Sequence, residues 1–151
     1  MILSESFRKE IYQVLKNAVG EENVSIEPHI RWAYSRDASL MVTRVPDVVA
    51  RPGKAEEIQR ILEIANKVKV PVYVRGAGSN YLGDGVPHEG GILIEMLRMN
   101  RILQINEDNL TCTVEAGVTF GELGSKLQER GYILLWYPDS ALFGTIGANF
   151  S

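Results

Sequence analysis

The stretch between Val48 and Val74 leaves this chain little choice of fold. Val48-Val49-Ala50 is a short apolar run closed by Pro52-Gly53, and Pro71 introduces a second run, Val72-Tyr73-Val74. Between them Ile58, Ile61, Leu62 and Ala65 recur at i, i+3, i+4 and i+7, the period of a helix with one apolar face. Glu56 and Glu57 fall in its first turn and Lys67 in its last, the charge order that suits a helix dipole. The pattern predicts strands near 48–51 and 72–74 joined by a helix from about Ala55 to Lys67. A helical crossover of this length returns the second strand parallel to the first, because a hairpin would need only a short turn.

The flanks are read in the same way. Ser6 is placed to cap a first helix that carries Phe7, Ile11, Leu15 and Ala18 on one face and stops at Gly20. Residues 21–45, with Trp32, Tyr34, Arg36 and Asp37, read as a short helix and a long connection; Arg36-Asp37 reads as a structural ion pair or helix-end feature. Further on, Ile92-Leu93-Ile94 and Ile102 to Ile105 are strands, and Leu110 to Val114 alternates as a half-buried strand after the turn Glu107-Asp108-Asn109. Thr119 and Glu122 have capping-box spacing ahead of a helix with Leu123 and Leu127 inward and Gly131 as its stop. Tyr132-Ile133-Leu134 is expected as a final strand, and 138–151 as loop.

Size and charge narrow the function. With 151 residues, 45% of them hydrophobic, the chain can build one cored domain but not a cofactor domain plus a full substrate domain. A net charge of −3 argues against a nucleic-acid partner, so any anion must be held by local N–H groups and a few placed cations. Cys112 is the single cysteine, which excludes an intramolecular disulfide and a thiolate metal cluster; a small buried hydrophobe is its expected role. The first residues lack a basic-then-apolar leader, and no apolar run approaches the ~20 residues of a membrane span. A cytoplasmic protein is the expectation. His29 and His88 are isolated and have no metal-ligand spacing.

The chemistry concentrates in Arg75-Gly76-Ala77-Gly78-Ser79-Asn80-Tyr81-Leu82-Gly83-Asp84-Gly85, directly after the second parallel strand. Ligands of open α/β sheets sit at that end of the strands. Glycines let the backbone bring its N–H groups up to a phosphate, Ser79 and Asn80 add side-chain donors, and Arg75 adds a permanent positive charge. A Rossmann fingerprint is excluded, since Tyr81 occupies the third glycine position and Gly83, Gly85 and Pro87 prevent a following helix. A P-loop is excluded because Asp84-Gly85 stands where Lys-Ser or Lys-Thr is needed. Pro138-Asp139-Ser140 and Thr145-Ile146-Gly147-Ala148-Asn149 form a second group of small donors. By itself the glycine cluster reads equally as a flexible loop between two strands; the second group taken alone reads as a polar surface loop, and Tyr81 and Trp136, which could line a pocket, read first as packing aromatics.

In order along the chain, Tyr34-Ser35-Arg36-Asp37-Ala38-Ser39, Pro71 to Gly78, Gly90-Gly91-Ile92, Val114-Glu115-Ala116-Gly117-Val118 and Thr145 to Asn149 resemble the flavoprotein family of p-cresol methylhydroxylase and vanillyl-alcohol oxidase. The likeness is to its glycolate oxidase and D-lactate dehydrogenase branch. The resemblance implies an α+β or α/β fold: the N-terminal portion of an FAD-binding domain, a βαβ subdomain followed by a mostly antiparallel α+β subdomain that is incomplete here. Residues 1–45 would be an N-terminal helix and connecting segment, and 46–151 the FAD-binding domain. It further implies that Arg75, Gly76, Ala77, Gly78, Ser79, Asn80 and Gly83 wrap the FAD pyrophosphate. Pro138, Ser140, Thr145, Gly147, Ala148 and Asn149 would approach the cofactor from the other side.

Some members carry a flavin-linked histidine where this chain has Ser79, so FAD is expected to bind non-covalently. Ala148 and Asp84 stand at positions often held by glycine, and Asp84 is expected to face solvent. The run Gly78 to Leu82 is also similar to the flavin loop of UDP-N-acetylenolpyruvylglucosamine reductase. The reaction implied is hydride removal from a 2-hydroxy acid, with a partner chain completing the enzyme. The chain offers no paired acid and base, so the alternatives are a flavin-binding module, or a folded fragment, without catalysis of its own.

Overall fold

The computed structural model describes residues 3–39 and 42–150. Helix α1 (Glu5–Val19) opens on Ser4, not Ser6: Ser4 has extended backbone and its Oγ accepts the Phe7 N–H at 3.3 Å. The helix starts early enough that Ser6 falls inside its first turn, where a cap has no role. Gly20 closes it, its N–H donating to the Lys16 carbonyl at 2.9 Å. A two-residue strand β1 (Val24–Ser25) and a short helix α2 (Pro28–Ala33) follow. The helix was expected in this stretch; the strand was not, being too short to carry a period.

Strand β2 (Val48–Ala50), helix α3 (Ala55–Val68) and strand β3 (Val72–Arg75) form the expected crossover. Strand β4 (Ile92–Glu95) lies between β2 and β3, parallel to both, so the two strands of the crossover are parallel but not neighbours. With β1 antiparallel on the outer side of β2, the sheet order is β1-β2-β4-β3. Helices α1 and α3 pack on it around Leu15, Ile61, Val48, Ile92 and Ile94, all excluded from solvent. Each large aliphatic chain so buried contributes about 2 kcal/mol. The buried face of α3 centres on Ile61 and Ala65, with Ile64 and Val68 beside them; Leu62, expected inward, is 46% exposed.

The buried Asp47 ties the N-terminal segment to this sheet. It takes the Arg8 guanidinium on Oδ1 at 3.2 Å and the Gly91 N–H on Oδ2 at 2.8 Å.

The second layer is an antiparallel hairpin of β5 (Ile102–Asn106) and β6 (Thr111–Val114), covered by α4 (Phe120–Gln128). The Thr119 side chain accepts the Glu122 N–H at 3.1 Å, as the capping spacing predicts, and Leu123 and Leu127 are buried with Val118. Cys112 is half-buried against this cluster, not enclosed. The final strand expected at Tyr132–Leu134 is not formed. Tyr132 and Leu134 do turn inward and Ile133 outward, but the Tyr132 N–H returns to the Leu127 carbonyl at 2.9 Å. Alternation is only half of what makes a strand; the other half is a neighbouring backbone, and none of the described residues supplies one. No helix among the described residues is long and apolar enough to cross a membrane.

Candidate functional site

Strands β2, β4 and β3 are parallel, so Ala50, Glu95 and Arg75 mark one edge of the sheet, and the glycine loop leaves from that edge. Gly78 has φ +73°, a conformation that costs L-residues about 1 kcal/mol or more. It lies against the Arg75 guanidinium, where a Cβ would come within 2.4 Å of Cζ. Arg75 Nη1 in turn donates to the Arg36 carbonyl at 2.6 Å, and its guanidinium sits 5.5 Å from the centre of the Tyr34 ring. The arginine therefore braces the loop from beneath while keeping its charge beside it.

The Tyr34 hydroxyl donates to Glu95 Oε1 at 2.8 Å. Burial and then this bond push its pKa up to about 12. Arg36 stacks over Trp32 at 5.0 Å and makes no ion pair with Asp37 among the described residues, which corrects one of the two readings of that dipeptide. The aromatic face at the end of α2 holds the guanidinium instead.

Among the described residues, the N–H groups of Ala77, Gly78 and Ser79 have no protein acceptor. The Asn80 side chain is already engaged within the loop, its Nδ2 donating to Asp84 Oδ2 at 3.0 Å and its Oδ1 accepting the Leu82 N–H at 2.6 Å. Asp84 is exposed, as expected. Gly83 is buried against Val42 and Ser39 with φ +86°.

The second group of residues reaches the loop at one point. A Cβ on Gly76 would lie 2.3 Å from Thr145 Oγ1, so the glycine backbone rests directly on that side chain. Thr145 is 2% exposed, and its hydroxyl has no hydrogen-bond partner. It is held by a bridge to Thr119, and the next N–H, of Ile146, donates to the Val118 carbonyl at 2.8 Å. Gly147 donates its N–H to the Ala116 carbonyl at 2.9 Å, which docks the 145–149 turn on the Val114–Val118 segment. Within that segment Glu115 is buried and binds Arg101 Nη2 at 2.6 Å and the Arg101 N–H at 2.8 Å. Those bonds hold its carboxyl below the ordinary range and raise Arg101.

Pro138 and Ser140 are placed differently. Their carbonyls accept from Ala141, and from Phe143 and Gly144, in a compact turn, and no hydrogen bond links them to the glycine loop among the described residues. Ala148 and Asn149 are exposed in a 3₁₀ turn, and Ala148 does not adopt positive φ, so alanine fits there without strain. Trp136 meets Phe120 edge-on at 5.6 Å, a packing role, while Tyr81 is 67% exposed.

A run of unpaired N–H groups, a neighbouring guanidinium and a buried unpaired hydroxyl on the facing segment together make a donor set able to hold an anionic group such as a diphosphate. A separate cleft of about 540 Å³ is lined by Leu110, Cys112, Leu127 and Trp136 among others. Its lining is mainly apolar, so it does not compete as an anion site. Sequence reasoning missed the buried polar atoms on the other flank of the loop: Ser35 Oγ, Asp37 Oδ2 and Ser39 Oγ, all without partners. The signal available was an Asp-x-Ser spacing, which forms a local turn wherever it occurs.

Comparison with known proteins gives the domain its family. Residues 46–151 match the model of the FAD binding domain family, and the chain belongs to that family. It is 36% identical over 143 residues to the glycolate oxidase subunit GlcD of Bacillus subtilis (strain 168), covering 95% of this chain and 30% of that protein. It is 28% identical over 148 residues to a probable mitochondrial D-lactate dehydrogenase of Danio rerio, covering 95% and 29%. In fold it superposes on p-cresol methylhydroxylase with a TM-score of 0.84 at 22% identity, covering 94% of this chain and 28% of that one. The chain thus spans about 30% of the length of the curated relatives it matches, and FAD is the cofactor of its domain.

Proposed function

We propose that this chain holds the diphosphate of a non-covalently bound FAD for an oxidoreductase acting on a 2-hydroxy acid such as glycolate or D-lactate. The observation that carries the cofactor part is the meeting of the two segments at Gly76 and Thr145. It sets the unpaired N–H groups of Ala77, Gly78 and Ser79 beside an unpaired buried hydroxyl and the Arg75 charge. In this reading the backbone of Gly76 to Asn80 and the hydroxyls of Ser79 and Thr145 donate to phosphate oxygens, and Gly83 closes the loop. Pro138, Ser140, Gly147, Ala148 and Asn149 shape the facing wall. Residues 1–45 then form the buttress of a binding domain at 46–151.

Ser79 offers no imidazole to link to the flavin, which supports a reversible complex. When bound, FAD supplies the hydride acceptor, and the protein positions it. The substrate assignment rests on likeness to the glycolate and D-lactate proteins. Absorbance near the flavin bands after gel filtration with FAD, together with quenching of FAD fluorescence, tests the cofactor part. Passage of FAD through the column unretained would refute it.

A further inference from the structure

Residues 35–39 have no task in the cofactor reading, yet they lie against the glycine loop at Gly78, Gly83 and Gly85. The Ala38 N–H donates to the Gly78 carbonyl at 3.0 Å. A Cβ on Gly83 would stand 3.5 Å from Ser39 Oγ, and one on Gly85 would stand 3.6 Å from Asp37 Oδ2. Asp37 Oδ1 accepts the Ser39 N–H at 2.9 Å, folding 37–39 into an Asx turn with Ala38 at its middle. In a planar trans peptide the C=O and N–H point in opposite directions. Anchoring the Gly78 carbonyl on Ala38 therefore turns the Ser79 N–H away from this segment, and no described residue accepts it.

The burial of Asp37 Oδ2, Ser35 Oγ and Ser39 Oγ without partners is unfavourable for stability alone. Such atoms are kept where geometry matters more than stability. A carboxylate touching the diphosphate itself would repel it, whereas Asp37 directs Oδ1 to the Ser39 N–H and acts through the turn.

We propose, on the basis of the diphosphate reading, that Asp37 is a positioning residue for the cofactor: its Asx turn holds the Ala38 N–H on the Gly78 carbonyl and so aims the Ser79 N–H at the diphosphate. The test uses the full chain with Asp37→Ala and Asp37→Asn, FAD affinity by fluorescence titration, and urea midpoints without flavin. Asp37→Ala is expected to weaken FAD about tenfold, the value of one directed hydrogen bond to a charged acceptor, with its midpoint close to the parent. Asp37→Asn keeps the Oδ1 acceptor and is expected to bind within about threefold of the parent. Unchanged FAD affinity in Asp37→Ala overturns the inference, as does an Asp37→Asn variant as weak as Asp37→Ala. A collapsed midpoint in Asp37→Ala also overturns it, by making Asp37 a residue of the fold. A parent chain that does not bind FAD overturns the cofactor reading and this inference with it, whereas a parent that binds beside an unaffected Asp37→Ala overturns this inference alone.

Discussion

Adding one methyl group at Gly76 tests whether the glycine loop and the 145–149 turn really meet. The new Cβ would lie 2.3 Å from Thr145 Oγ1 and 3.3 Å from its Cβ and Cγ2. The first distance is about 1 Å inside van der Waals contact, while the others are only tight. Thr145 cannot retreat cheaply, because it is bridged to Thr119 and the next N–H is bonded to Val118. Overpacking of this kind costs about 1–3 kcal/mol, and we take about 2 for Gly76→Ala. Thr145→Ala removes the offending oxygen and leaves the 3.3 Å contact, so in that background Gly76→Ala should cost only about 0.5 kcal/mol.

Thr145→Ala alone should cost about 1 kcal/mol or less, since the lost hydroxyl has no partner to strand. Thr145→Val keeps a branch at the clashing position and should give no relief. The four-member cycle is read from urea midpoints at constant m-value, followed by far-UV circular dichroism. A coupling of about 1.5 kcal/mol is expected; additivity within about 0.5 kcal/mol would refute the contact.

Gly78→Val should weaken FAD binding while leaving the α1–α3 core intact, because the branched side chain both opposes φ +73° and displaces Arg75; equal FAD affinity by fluorescence quenching would count against the cradle. Glu115 has a depressed carboxyl, so its contribution to stability is present above the unfolded carboxylate range and lost as pH falls through the folded value; Glu115→Gln should flatten the acid limb of a stability–pH curve. Tyr34 is shifted the other way, so its contribution is whole below the unfolded value near 10 and fades as pH rises toward about 12; Glu95→Gln should lower the Tyr34 titration followed by ultraviolet absorbance. Finally, this chain saturated with FAD should not turn over D-lactate or glycolate with an artificial acceptor, since orientation and general-base catalysis each contribute several powers of ten; robust turnover would show that the catalytic groups are already here.

Local periodicity and punctuation make much of this protein legible in its sequence. The spacing of Ile58, Ile61 and Ala65 sets α3, and a helix between two short apolar runs leaves β2 and β3 parallel. Thr119 and Glu122 announce α4, and the glycines after Arg75 announce a loop with free N–H groups. Each of these follows from residues within a turn or two of one another, where φ, capping and burial act directly.

Other features belong only to the tertiary structure, because they need partners far apart in the chain. The insertion of β4 between β2 and β3, the two-residue β1, and the failure of Tyr132–Leu134 to become a strand all depend on which backbone lies alongside. The burial of Asp47 on Arg8 and Gly91 is of the same kind. So is the candidate site: the sequence marks Gly76, Thr145 and Asp37 as small or polar residues in loops, and nothing local sets the distances among them. Only the packed sheet brings Thr145 onto Gly76 and Ala38 onto Gly78, since close approach of distant backbones is decided by the whole core and not by any one segment.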